Sequence, residues 1–155
     1  MTADPLLGTE VSRYRLEKTL GEGGMGRVYL GVQQAIGSRV AIKVLSEECT
    51  RNPELLERFF AEARAVNLIR HENIISVLDL ATLPDGRPFI IMEYIEGHTL
   101  AHHVRRQVAP LGGVAQVIGE VLSGLAAAHA IGIVHRDMKP DNVLVTDRSV
   151  LPSMK

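Results

Sequence analysis

The chain has 155 residues, 46% hydrophobic and 23% charged, a balance that fits one globular domain with a sizeable core. A formal net charge of −1 argues against a nucleic-acid surface or a polybasic membrane patch, and the single cysteine, Cys49, excludes an internal disulfide framework. No apolar run is expected to reach the roughly 18 residues of a spanning helix, and the first residues lack a signal-peptide pattern, so a cytoplasmic domain is expected.

Residues 1–13 read as a short mobile leader. Strands are expected over Tyr14–Leu20, Arg27–Gly31 and Val40–Leu45, with a glycine cluster between the first two and a turn at Ile36-Gly37-Ser38. The first helix is predicted from about Pro53 to Arg70. Asn52 is a good N-cap, Pro53 suits the first helical position, and Glu54 and Glu57 lie near the positive end of the dipole. Leu55, Phe59, Val66 and Ile69 form one apolar stripe, and Glu62 falls on it, three residues after Phe59 and four before Val66.

Two more strands follow, Ile74–Leu80 and Pro88–Tyr94, around the turn Pro84-Asp85-Gly86. Thr99–Arg106 reads as a short helix and Gly113–Ala130 as a longer one, with Val114, Val117, Ile118, Val121, Leu122, Leu125 and Ala126 facing a core. Ile133–Val134 and Val143–Val145 are short apolar pieces around a polar loop. The order of elements gives an α+β fold with a helical second half.

Gly21-Glu-Gly23-Gly24-Met-Gly26 matches G-x-G-x-x-G, which by itself fits a phosphate-binding hairpin, a plain flexible hairpin or a dinucleotide-binding turn. The dinucleotide turn needs a helix directly after the last glycine. Arg27-Val-Tyr-Leu favours a strand instead, and a glycine hairpin lets backbone N–H groups approach phosphates. Lys43 ends the apolar string Val40-Ala-Ile, so its ammonium either snorkels to water or is held by an anion. Glu62 is the complementary oddity, and unpaired buried charge is costly. The economical reading is that the two meet and that Lys43 then contacts the α- and β-phosphates of a nucleotide.

His135-Arg-Asp-Met-Lys-Pro-Asp-Asn142 is the most specific string. Asp137 can accept a proton from an attacking hydroxyl, Lys139 can neutralise a transferred phosphoryl group, and Asn142 can offer an amide oxygen to Mg²⁺. The bland alternative is a charged surface loop with capping Asp and Asn, which eight ordered matches downstream of two others disfavour. His98, His102 and His103 are read as a solvated face, because no acidic or cysteine partner joins them. Nothing marks Cys49 as reactive.

From about Tyr14 to Val145 the chain resembles the eukaryotic-type Ser/Thr protein kinases, particularly their bacterial members, in Gly24-Met-Gly-Arg-Val-Tyr29, Val40-Ala-Ile-Lys43 and His135–Asn142. The resemblance implies a kinase-like N-lobe over 14–94 and a partial helical C-lobe over 95–155. It implies ATP and Mg²⁺ as cofactors, Asn142 as a metal ligand, and protein Ser/Thr hydroxyls as acceptors, on itself or on another kinase among others. The cradle of the nucleotide would comprise Leu20, Gly21, Glu22, Gly23, Gly24, Met25 and Gly26, with Val28, Ala41 and Leu144 around the adenine. Met92 would be the gatekeeper, and backbone groups of Glu93 and Ile95 would bond the base. Glu62 would hold Lys43 in place on the phosphates, and Asp137, Lys139 and Asn142 would be catalytic. Arg136 resembles the arginine that receives an activation-loop phosphate, and His135 and Val66 resemble regulatory-spine members.

The pattern departs after Asn142. No Asp-Phe-Gly string follows, Asp147 comes too early to replace it, and Pro152 interrupts the expected returning strand. The expectation is a chain truncated before that motif, with weak transfer of its own and an exposed apolar face on the helix from Gly113. A nucleotide- or partner-binding module without chemistry is the alternative reading. A dinucleotide-binding enzyme is a third, resting on the glycines alone.

Overall fold

A computed structural model describes residues 4–106 and 111–146. The chain divides into two compact units, one of Met1–Leu68 with Ile75–Tyr94 and one of Ile69–Ile74 with Ile95–Lys155.

The first unit is built on a six-stranded antiparallel sheet in the order β1-β2-β3-β4-β6-β5. Its strands are β1 (Glu10–Val11), β2 (Tyr14–Gly23), β3 (Gly26–Gln33), β4 (Ser38–Leu45), β5 (Val77–Thr82) and β6 (Pro88–Glu93). β2 and β3 run three residues further into the glycine cluster and two beyond Gly31 than the sequence pattern reaches. The reason is backbone pairing, which continues through Glu22↔Arg27 and Gly23↔Gly26 without needing apolar side chains. The turn after β3 closes on Gly37, whose φ of +70° suits a residue without Cβ.

Strand alternation sorts the core. Val40, Ile42 and Val44 of β4 join Tyr14, Leu16, Tyr29, Phe89 and Ile91 on one face. Leu45 and Ile90 point the other way and meet Cys49, Phe59 and Ala63. A one-turn helix, α1 (Glu47–Thr50), follows β4; Ser46 caps it by accepting the Cys49 N–H at 3.2 Å. Helix α2 (Pro53–Leu68) starts as expected, with Asn52 Oδ1 accepting from the N–H groups of Glu54 (3.0 Å) and Leu55 (3.4 Å). It ends two residues before Arg70. Phe59 is wholly buried against the sheet, so Phe59→Ala would cost about 3–5 kcal/mol.

Of the segment expected as a mobile leader, residues 4–13 have structure. β1 pairs with β2, Gly8 N–H donates to the Leu16 carbonyl at 2.7 Å, and Leu6 packs on the sheet core.

In the second unit, β7 (His98–Thr99) pairs with β8 (Leu144–Val145), and Gly97 lies so close to the Val145 carbonyl that a Cβ there would overlap it. Helices α3 (Leu100–Arg106) and α4 (Leu111–Ala130) follow the strand. α4 ends in a Schellman turn: Gly132 at φ +78° donates to the His129 carbonyl, and Ile133 donates to that of Ala128, both at 3.0 Å.

Two expectations for α4 need correction. Its covered side carries Gly124 and Ala128, with Val117, Val121 and Leu125 half-buried; Val114, Ile118, Leu122 and Ala126 do not face a core but are exposed, which is the exposed apolar face expected of this helix. The small residues are covered because Gly124 lies directly on Asn73 and Ile74, an approach a larger side chain would prevent. The helix is also long and apolar enough to cross a membrane by length and composition, with mean hydropathy 1.5. Gln116, Glu120 and His129 break up its apolar runs without lowering that average much. The departures at Asp147 and Pro152 lie outside the described residues.

Candidate active site

The register of the sheet puts four of the expected nucleotide residues on one face. Val28 pairs with Lys43, and Ala41 pairs with Met92, so all four project from the side that α2 covers. β3 follows the glycine cluster directly, and no helix starts there. That removes the dinucleotide-binding reading.

The four glycines of the hairpin differ in kind. A Cβ at Gly21, Gly23 or Gly24 would meet nothing within 4 Å, so the space above this backbone is open for a ligand. Gly26 has φ +149°, and a Cβ there would run into the Val44 carbonyl oxygen. The tip is fastened from below: the Met25 carbonyl accepts from Ser46 N–H at 2.9 Å, the Cys49 thiol donates to the Gly24 carbonyl at 3.5 Å, and Met25 packs against the Phe59 cluster. Sequence reasoning gave Cys49 and Ser46 no part in the site. The serine's place just before a short acidic turn was the available signal.

Lys43 and Glu62 do not pair. Glu62 is 46% exposed at its side chain, and its Oε1 accepts from Arg58 Nε at 2.9 Å. The Lys43 ammonium stands 5.7 Å from the centroid of Phe59. The physical reason is helical geometry. At about 100° per residue, Glu62 lies roughly 60° to one side of Phe59, while Ala63 lies about 40° to the other and takes the buried line. Glu62 therefore sits on the flank, within reach of Arg58 one turn earlier. Val66 is half-buried on the same helix. Glu93 binds Ser76 twice, by its own N–H to the Ser76 carbonyl at 3.1 Å and by Oε1 from Ser76 N–H at 2.6 Å.

In the second unit the string His135–Asn142 forms an open loop closing in a 3-10 turn, Pro140–Asn142. Arg136 adopts φ +60°, a left-handed conformation costly for a residue with a Cβ. The Asp137 N–H turns back to the His135 carbonyl at 2.8 Å. Three polar groups then converge. Lys139 Nζ lies 3.1 Å from Asp137 Oδ2, and Asn142 Nδ2 donates to the same oxygen at 3.1 Å and to the Asp137 carbonyl at 2.8 Å. Hydrogen bonds from Lys139 first and Asn142 second hold the Asp137 carboxyl below the usual carboxylate range. Oδ1 of Asp137 and Oδ1 of Asn142 have no hydrogen-bond partner among the described residues. One is thus available to a hydroxyl proton and the other to a cation, which fits the donor set that Mg²⁺ takes. His135 and Arg136 are exposed, as is Leu144 on β8; Ile95 is half-buried.

The histidines do not form a solvated face. His103 is buried and its Nδ1 lies 2.9 Å from His98 Nε2, with the rings stacked; only His102 is exposed among the three. Among the described residues no group of three or more His, Cys, Asp or Glu is placed to hold a metal ion.

The curled antiparallel sheet with its single long helix, the glycine hairpin, the strand lysine and the Asp137 loop together define a protein kinase fold. A protein-family model described as the protein kinase domain matches residues 14–152, and the chain belongs to that family. It is 52% identical over 146 residues to the serine/threonine-protein kinase Pkn1 of Myxococcus xanthus, covering 94% of this chain and 21% of that protein. It is 42% identical over 150 residues to serine/threonine-protein kinase PksC of Streptomyces coelicolor, covering 92% of this chain and 27% of PksC. The crystal structure of the Mycobacterium tuberculosis PknI kinase domain superposes with a TM-score of 0.75 at 29% identity, over 97% of this chain and 64% of that one. The chain therefore spans about a fifth to a quarter of these two curated relatives.

Proposed function

We propose that the chain binds Mg-ATP and transfers the γ-phosphoryl group to Ser or Thr hydroxyls of proteins in the cytoplasm. The observation that carries this reading is the convergence of Lys139 and Asn142 on one oxygen of Asp137, which leaves the other oxygen for the acceptor hydroxyl. Asp137 takes the hydroxyl proton as the oxygen–phosphorus bond forms, the bond from γ-phosphorus to the β–γ bridging oxygen breaks, and ADP leaves. Lys139, which contacts Asp137 in the ligand-free chain, neutralises charge on the transferred group. Mg²⁺, when bound, supplies charge neutralisation on the phosphates, and Asn142 Oδ1 is the ligand this loop offers it.

Residues 1–155 contain no Asp-Phe-Gly string, so transfer by these residues alone is expected to be slow. Glu62 held by Arg58 rather than by Lys43 points the same way. That pairing also favours the second reading, a module that binds nucleotide or a partner kinase without chemistry.

The test is transfer from labelled Mg-ATP by the purified chain to itself and to a generic basic protein, beside nucleotide binding by the same preparation. Transfer that falls at least about a hundredfold in Asp137→Asn supports the catalytic reading. Binding without any Asp137-dependent transfer supports the module, and no nucleotide binding overturns the catalytic reading and leaves of the second only its partner-binding form.

A further inference from the structure

The residues before the sheet reach the glycine hairpin through one side chain. Asp4 is only 11% exposed at its side chain, and its Oδ2 accepts from Arg27 Nη1 at 3.0 Å and from the Tyr29 hydroxyl at 2.8 Å. Its Oδ1 accepts from the Leu6 N–H at 3.0 Å, which turns the chain into the segment that pairs with β2. Tyr29 is buried and cannot swing away. The other guanidinium nitrogen of Arg27, Nη2, lies 3.0 Å from Glu22 Oε1. Glu22 and Arg27 are register partners one step from the Gly23↔Gly26 pair that closes the hairpin. Arg27 is thus a two-armed bridge, one arm fixed on a half-buried carboxylate and the other on Glu22, inside the glycine hairpin.

The two arms differ in strength. Glu22 is 63% exposed, and a solvated ion pair is weak because ordering two long side chains offsets the attraction. Asp4 changes that balance by ordering the guanidinium in advance, so Glu22 alone has to be immobilised. Burial pushes the Asp4 carboxyl up, but the hydrogen bonds from Leu6, Tyr29 and Arg27 outweigh it and hold the group ionised.

We propose that Asp4 is a positioning residue for nucleotide binding: through Arg27 it fixes Glu22, and with it the backbone of the hairpin Gly21–Gly26. The inference rests on the nucleotide-binding reading above for its consequence, while the coupling itself belongs to the ligand-free chain. A pre-ordered hairpin loses less freedom when phosphates enter, so releasing it weakens affinity.

Amide hydrogen exchange of the whole chain without nucleotide tests the coupling, and titration with a fluorescent ATP analogue tests its consequence. In Asp4→Asn and in Glu22→Gln the amides of residues 21–26 are expected to exchange about threefold faster, while those of Ile42 and Ile91 stay unchanged. The double variant should exchange no faster than the quicker single one, because both changes cut the same bridge. Arg27→Lys, which keeps the charge but cannot span both carboxylates, should match them, and serves if Asp4→Asn fails to fold. Affinity for the analogue should fall about threefold in each. Unchanged hairpin exchange in Asp4→Asn and Arg27→Lys, equal acceleration across the whole sheet, or multiplying effects in the double variant overturns the proposal. A wild-type chain that binds no analogue overturns the nucleotide reading instead, and hairpin exchange still reports whether the bridge exists.

Discussion

Arg58 and Glu62 stand one turn apart on α2 and share a 2.9 Å ion pair, which occupies the carboxylate that the sequence pattern assigned to Lys43. Both partners are largely solvated, so the pair is worth only about 0.3–0.5 kcal/mol. A competitor that weak shifts an equilibrium about twofold. Arg58→Ala is therefore expected to tighten nucleotide binding about twofold with little change in stability, and Glu62→Gln to weaken it. A fluorescent nucleotide titration measures both. Unchanged or weaker binding in Arg58→Ala would show that Arg58 is not what keeps Glu62 from Lys43.

The hairpin glycines separate structure from ligand approach. Gly26→Ala forces a Cβ toward the Val44 carbonyl from a backbone at φ +149°, and is expected to destabilise the chain by about 2 kcal/mol. Gly23→Ala and Gly24→Ala place a methyl in open space, so stability should stay within about 0.5 kcal/mol while nucleotide affinity drops. Urea unfolding beside nucleotide titration distinguishes the two classes. Equal destabilisation by all three would remove the distinction.

What the sequence made legible follows from period and spacing. Strand alternation located β3, β4 and β6, the cap at Asn52 located the start of α2, and the ordered string His135–Asn142 located the carboxylate loop. Two kinds of feature escaped. The first is contact between segments far apart in the chain, such as Asp4 with Arg27 and Tyr29, or Cys49 with the Gly24 carbonyl; no local pattern encodes those partners. The second is azimuth on a helix. Glu62 shares the stripe's spacing but sits on its flank, and on α4 the covered line is set by Gly124 and Ala128, which hydrophobicity counts undervalue beside Ile118 and Leu122. One-turn α1 is too short for periodicity to register, and β1 is defined by its pairing alone.

Asp137 should remain a carboxylate throughout neutral pH. Its pKa is held below the ordinary value of about 4 chiefly by Lys139 and next by Asn142, so any acid limb it imposes on transfer lies below that range. Lys139→Met removes the larger cause and should raise the midpoint toward the ordinary value, and Asn142→Ala should raise it less. Carbon-detected NMR titration of the Asp137 carboxyl follows this directly. A midpoint that stays put or falls in Lys139→Met would mean that the 3.1 Å contact does not form in solution.

Tyr29 and Asp4 titrate in opposite directions around one hydrogen bond. Burial first, and then the bond to the negatively charged Asp4, push Tyr29 up to about 12. The folded chain thus holds this proton more tightly than the unfolded chain, whose tyrosine ionises near 10. The stabilisation is complete below about pH 10 and is lost as pH rises through the folded value. For Asp4 the folded value lies below the unfolded one, so its contribution is present above about pH 4 and disappears as pH falls through the folded value. Absorbance titration of the phenolate should show one tyrosine ionising late, and Tyr29→Phe should delete that phase. Because burial is the larger cause, Asp4→Asn should lower the late midpoint only part of the way toward 10. A complete return to the ordinary value would instead mean that Tyr29 leaves the core when Asp4 loses its charge, making Asp4 the support of β3 itself rather than of the hairpin it carries.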